Sequence, residues 1–186
     1  MLKFIKQYLP SVAIAVVLSL FVRTYVAEAM RVPTGSMIPT IEINDRLIVE
    51  KMLWMTTLDH GDIVVFTPPV AGDENKRYVK RLIGLPGDTI EIKDGALYRN
   101  GTEINEPYLN ERMNYTFGPV TVPSDHYFFL GDNRNISYDA HLWATPFVAK
   151  DQLIGKVIAD FSIPFQVMLR GSFELIESVN ETLTIL

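Results

Sequence analysis

YVKRLIGLPGDTIEIKDGALYRNG, residues Tyr78 to Gly101, decides the fold. Three short β-branched or aromatic runs are separated by Pro86-Gly87 and Asp94-Gly95 and closed by Asn100-Gly101. Such runs between turn dipeptides read as strands, and Asp94-Gly95 predicts the turn of a hairpin, since both residues tolerate the positive φ that tight hairpin turns require. The same texture extends outward from Arg46 through RLIVEK, GDIVVF, PVTVP, HYFFLG and IGKVIADF, with Gly61-Asp62 and Gly131-Asp132 as further turns. Eight runs, with no helical period between Arg46 and Phe165, predict an all-β domain of mostly antiparallel strands, arranged as two packed sheets. Glu103 to Asp125 is polar and loop-rich, which predicts a small inserted subdomain near residues 93–125.

The first 29 residues have a different character. Lys3 and Lys6 precede an uncharged stretch from Gln7 to Val22, and Arg23 ends it. That stretch is shorter than the ~20 residues of a usual membrane span. Continuing through Tyr25 to Ala29 supplies the length if Arg23 snorkels to the interface. The lysines then favour a cytoplasmic N-terminus and place the rest of the chain outside. A cleavable signal peptide is the rival reading, with a basic start, an apolar middle and the small-x-small pattern Ala27-Glu28-Ala29. Hydropathy alone leaves the two evenly matched. The expected organisation is therefore an anchor over 1–29, a β-rich domain over 30–164 and a tail over 165–186 with no assigned role.

Composition narrows the chemistry. A chain of 186 residues with net charge −5 and no basic patch is one domain and a poor partner for nucleic acid. It has no cysteine, which excludes disulfides, thiol catalysis and Cys-ligated metals. No HExxH, P-loop or GxSxG motif occurs, and no cofactor is implied.

The remaining chemical signal is RVPTGSMIPTI, Arg31 to Ile41. Pro33 and Pro39 stiffen it, and Gly35 permits close backbone approach before Ser36. Read locally it is an ordinary Pro/Gly turn that presents one hydroxyl. A serine hydroxyl needs a base to act as a nucleophile. The histidines are His60, His126 and His141, and Ser137-Tyr138-Asp139-Ala140-His141 holds all three triad residue types. Residues two apart on a strand share a face in a row, which does not build a relay. Lysine is the other base. Lys80 and Arg81 point to opposite faces of a strand. Arg81 cannot lose its proton, whereas Lys80 can if desolvated beside Tyr78 and Leu82. By periodicity alone both read more simply as edge-strand cations.

Three ordered blocks, TGSMIPT, KRLIGLPGD and GDNRNISYDAHLW, follow one N-terminal apolar segment. Together they resemble bacterial type I signal peptidases, most closely the small single-anchor form, from the anchor to about Pro164. The resemblance implies a Ser/Lys dyad on an all-β fold beside a lipid bilayer, acting on signal peptides of exported preproteins. It implies Ser36 as nucleophile and Lys80 as general base. Thr34 matches a hydroxyl that assists the Ser36 N–H in the oxyanion hole, and Ser137 one that orients the lysine. Asp132, Arg134 and Asp139 match a polar frame. Val32, Pro33, Met37, Ile41, Tyr78 and Val79 fall where the family lines shallow pockets for small residues in an Ala-x-Ala pattern. Asn135 and Ile136 stand where Asp-Asn is frequent, and His141 where Arg is common, which puts the Asp139 ion pair in doubt. Self-cleaving repressors share the Ser/Lys chemistry but have no use for an anchor. An inactive membrane-tethered homologue acting as a binding factor is favoured only by loss of Ser36 or Lys80.

Overall fold

The computed structural model describes residues 2–161, with side chains from Gln7 onward; the expected tail over 165–186 lies outside the described residues. Helix α1 (Leu2–Phe21) continues into a wider turn of helix at Val22–Val26. The stretch Gln7–Val26 is 20 residues long with mean hydropathy 1.9 and no residue of it buried against the rest of the chain. At 1.5 Å rise per residue such a helix is about 30 Å long, the thickness of a bilayer's hydrocarbon core.

The helix does not reach Ala29, as the sequence reading expected. Ala27 is extended, and Ala27–Arg31 form strand β1, paired antiparallel with β2 (Arg46–Glu50). The cause is Glu28, whose carboxylate meets Arg77 at 2.8 Å and Lys51 at 3.6 Å. These ion pairs hold Glu28 on β1, where the backbone of Ala27–Arg31 is satisfied by β2 instead of by the helix.

The remaining strands are β3 (Ile63–Phe66), β4 (Tyr78–Gly84), β5 (Thr89–Lys93), β6 (Ala96–Arg99), β7 (Thr102–Glu103), β8 (Phe117–Thr121), β9 (His126–Leu130), β10 (Val148–Ala149) and β11 (Leu153–Phe161). They form one seven-stranded sheet in the order β1-β2-β11-β3-β4-β9-β10 and a four-stranded sheet in the order β7-β6-β5-β8. The described pairings are antiparallel. Where the sequence predicted two packed sheets plus an insertion, a single seven-stranded sheet carries two cores. The strand period of two explains this. On β3, Val64 and Phe66 enter one core with Leu82, Phe128 and Phe129, while Val65 enters the other with Leu47, Val49 and Val79. The small sheet starts at Thr89, four residues before the expected insertion. Its first hairpin turns at Asp94-Gly95, with φ of 52° and 77°, the conformation for which that dipeptide was read.

Two features of this frame position a site. The segment from Val32 to Ile41 is pegged to the second core by Val32, Met37 and Ile41. β9 pairs with β4, Leu130 opposite Arg81, so the loop that follows Leu130 begins beside Lys80 and Arg81.

Candidate active site

The pegged segment leaves Ser36 half-buried with its hydroxyl turned to β4. Lys80 Nζ lies 2.5 Å from Ser36 Oγ, across 44 positions of sequence. Lys80 is only 3% exposed. Burial removes water from its ammonium and lowers its pKa from the ordinary 10.5; the more distant charges of Asp139 and Asp132 partly restore it, leaving it at about 8. No carboxylate forms an ion pair with Lys80 among the described residues. The amine is therefore desolvated without being neutralised by a neighbour, and its neutral form is accessible near physiological pH.

The loop Gly131–Asp139 cradles the serine backbone. Asn133 donates its backbone N–H to the Ser36 carbonyl at 3.1 Å and its side-chain amide to the Gly35 carbonyl at 3.1 Å. Gly131 is needed where it is: a Cβ there would lie 2.4 Å from the Ser36 carbonyl oxygen and 2.3 Å from Ser137 Oγ. Any side chain would push the loop off the serine. Among the described residues, neither the Ser36 N–H nor the Thr34 hydroxyl has a hydrogen-bond partner, and Thr34 is exposed beside the serine. Both donors are free for a ligand.

Two buried ion pairs and an aspartate–histidine hydrogen bond hold this loop. Asp132 receives Arg81 Nε at 2.8 Å and Arg81 Nη2 at 2.6 Å, and takes the Thr40 hydroxyl at 2.5 Å. Burial alone would lower the Arg81 pKa, but the hydrogen bonds and charge of Asp132 raise it instead. The Arg81 guanidinium also stacks 3.9 Å from the Tyr108 ring. Arg134, 1% exposed, is gripped by Glu106 through two bonds of 2.6 and 2.7 Å and donates Nε to the Gly131 carbonyl. Asp139 accepts the Gly131 N–H at 2.8 Å and meets His141 Nδ1 at 2.6 Å. His141 is stacked on Tyr115, centroids 3.9 Å apart. A histidine thus stands where the resemblance implied an arginine, and it makes the contact with Asp139. Asn135 donates to the Arg112 carbonyl and accepts from the Asn114 N–H, a two-way bridge that a carboxylate cannot make.

An apolar groove of about 580 Å3 opens at the serine. Val32, Pro33, Tyr78 and Val79 line it as expected, joined by Met30, Ile136 and Tyr138. Three expectations need correction. Met37 and Ile41 do not line the groove: at 0% and 1% exposure they are core pegs beneath it, because their side chains enter the second core. Ser137 Oγ is buried without a hydrogen-bond partner among the described residues, so its expected bond to Lys80 is not formed; the hydroxyl packs against Gly131. Arg81 is no edge-strand cation but the partner of Asp132. Ser137 and His141 make no bond to each other, in keeping with the dismissal of a local triad.

Sequence reasoning missed Arg81, Thr40, Glu106, Gly131 and Tyr115. For Gly131 a signal existed, since Gly131-Asp132 read as a turn, but the reason for the glycine is a contact with a segment 95 positions away. Glu106 carries no local signal at all; it lies in the polar stretch read as a flap.

A serine hydroxyl set against a desolvated amine, at the head of an apolar groove on an all-β frame, is an arrangement suited to a serine endopeptidase. The family model described as signal peptidase, peptidase S26, matches residues 5–162, and the chain belongs to that family. "Probable signal peptidase I-2" of Synechocystis sp. is 44% identical over 79% of this chain and 68% of its own length. "Signal peptidase I" of Leptolyngbya laminosa is 42% identical over 81% of this chain and 76% of its own. A solved structure of a signal peptidase I from Enterococcus faecalis is 36% identical, with TM-score 0.47, over 56% of this chain and 98% of that one.

Proposed function

We propose that this protein is a membrane-anchored serine endopeptidase that removes N-terminal signal peptides from exported preproteins by a Ser36/Lys80 dyad. The observation that carries the reading is the 2.5 Å contact between a hydroxyl and a lysine amine that burial brings to about 8. As Ser36 Oγ attacks the scissile carbonyl carbon, neutral Lys80 takes the hydroxyl proton. The carbonyl oxygen becomes an oxyanion, and the free Ser36 N–H and Thr34 hydroxyl are the donors placed to receive it. Collapse of the tetrahedral intermediate breaks the C–N bond; Lys80 returns the proton to the leaving amine, and the signal peptide stays as an ester on Ser36. Water, deprotonated by Lys80, then attacks the ester carbonyl; the C–O bond to Ser36 breaks, Lys80 returns the proton to Ser36 Oγ, and the signal peptide leaves as a carboxylic acid.

The groove supports the specificity. An extended peptide laid against the Val32–Gly35 segment and β4 sends alternate side chains into it. Its apolar walls suit small residues at the first and third positions before the cut, as in Ala-x-Ala. The helix α1 with its extension supports anchoring, with Lys3 and Lys6 on the cytoplasmic side and the catalytic domain outside.

The test is cleavage of a preprotein by the purified full chain, with the cut mapped by mass spectrometry. One cut after an Ala-x-Ala pattern, absent in Ser36→Ala and lost when the residue before the cut becomes Phe, is the expected result. Cleavage that survives Ser36→Ala, or equal turnover of the Ala and Phe substrates, contradicts it.

A further inference from the structure

The apolar groove has a closed end. Met30 on β1 and Tyr78 on β4 both line it. Glu28 stands two residues before Met30 and Arg77 one residue before Tyr78, and the two meet: Arg77 Nη1 donates to Glu28 Oε1 at 2.8 Å. β1 and β4 are four places apart in the sheet order, so this ion pair marks where the curled sheet brings the two walls together. Lys51 holds the other oxygen of the Glu28 carboxylate at 3.6 Å. The carboxylate thus fixes one edge of the guanidinium. The other edge is open: Arg77 lines the groove, its side chain is 46% exposed, and among the described residues its Nε and Nη2 donate to nothing. Its neighbour Lys76 is already paired, with Asp73 of the preceding turn at 2.6 Å.

We infer that Arg77 is a specificity-determining residue: its open guanidinium edge caps the C-terminal end of the substrate's apolar helix and so sets how many residues separate that helix from the cut. This rests on the proposed reading of the chain as a signal-peptide endopeptidase. Ser36 and Lys80 hold the scissile bond at one end of the groove. Arg77 precedes Lys80 by three positions, so their Cα atoms are at most about 11 Å apart, the reach of three extended residues. The three residues before the cut fill that length. The fourth meets the Glu28–Arg77 bridge, and there the chain leaves the groove. Upstream of it lies the apolar segment of the signal peptide, which is helical because lipid offers its backbone no other partners. The last turn of a helix leaves carbonyls without intrahelical partners, at the negative end of the helix dipole. A guanidinium offers a positive charge and several N–H donors in one plane, the complement of both. Glu28 contributes orientation, since it draws one edge of the guanidinium to the wall and leaves the other for the departing chain.

The measurement uses the full chain in phosphatidylcholine/phosphatidylglycerol vesicles and a preprotein series. Each member carries the same leucine run, and a Gly/Ser spacer of graded length separates that run from Ala-x-Ala. The cut is mapped by mass spectrometry and kcat/KM is read for every member. The parent is expected to cut the members with the shortest spacers about fivefold better than those with the longest, the worth of one well-placed cation at a helix C-terminus, with the gain in KM. Arg77→Met keeps the apolar stem and removes the donors and the charge, and it should bring that ratio to within about twofold. A parent with no spacer preference, or an Arg77→Met enzyme that is slower on every member by the same factor, overturns the cap and leaves the peptidase reading standing. A series in which no member is cut after Ala-x-Ala overturns the peptidase reading itself.

Discussion

Lys80 and Arg81 are adjacent on β4, both are buried, at 3% and 9% exposure, and their charges meet opposite fates. Period two sends them to opposite faces of the strand. On one face Lys80 finds a hydroxyl and apolar walls, and its pKa falls to about 8. On the other face Arg81 finds the carboxylate of Asp132 in a two-bond fork, and its charge is reinforced. Burial is common to both; the counterion decides the outcome. One cation is prepared to give up its proton and the other to hold a loop in place.

The comparison breaks most visibly if the lysine is not the base. Ser36→Ala and Lys80→Ala are each expected to lower kcat/KM by roughly 10^3-fold or more, and the double variant to lose no more than either single one, since the pair acts as a unit. Lys80→Arg should be equally inactive, because a guanidinium cannot accept the proton. Steady-state cleavage of a preprotein checks this, and an active Lys80→Arg enzyme would refute the assignment.

The Arg81 side is tested by stability. Arg81→Met strands Asp132 as a buried carboxylate without its partner, which costs about 3–5 kcal/mol. Denaturant unfolding should show it as a lower midpoint. A loss under 1 kcal/mol would mean that water replaces the guanidinium and that the pair holds nothing.

The same change one residue earlier should act in the opposite direction. A buried group with its folded pKa near 8 and an unfolded pKa near 10.5 binds a proton more weakly when folded. That difference weakens the fold below pH 8 by up to about 3 kcal/mol, and the penalty fades as pH rises from 8 toward 10.5. Lys80→Met is therefore expected to be inactive yet more stable than the parent at pH 7, with the two stabilities converging above pH 10. A destabilised Lys80→Met at pH 7 would contradict the desolvation account.

Lys93 and Glu91 supply the low end of the scale. Their 2.7 Å separation is like that of Arg81 and Asp132, but both side chains remain in contact with solvent, at 45% and 30% exposure. Lys93→Met should change stability by less than about 1 kcal/mol.

How much of this was legible in the sequence follows from the range of each interaction. The hairpin at Asp94-Gly95 is set by its own two residues, and it was readable. The strand runs announce an antiparallel all-β fold because each carries its own propensity. Ser36 and Lys80 come together as the ordered motifs implied, although periodicity alone favoured a plainer reading of Lys80. Arg81 with Asp132, and Arg134 with Glu106, were not readable, since each pair is joined only by the packing of segments 51 and 28 positions apart. Met37 and Ile41 show the converse limit. Their apolar character was evident, but whether an apolar residue faces a groove or a core depends on which side of a folded segment it falls. The end of the helix turned on Glu28, whose cationic partners Arg77 and Lys51 come from distant segments.

The central claim is that Lys80, deprotonated, activates Ser36. Its most direct test is the pH dependence of kcat/KM for preprotein cleavage, set beside the titration of Lys80 followed through its ε-carbon by NMR. The account predicts that activity rises about tenfold per unit of pH on the acid side and levels off at the same midpoint, near pH 8, at which the lysine loses its proton. A lysine that titrates near its ordinary 10.5, or a rate that levels off well below the lysine's own midpoint, would contradict it.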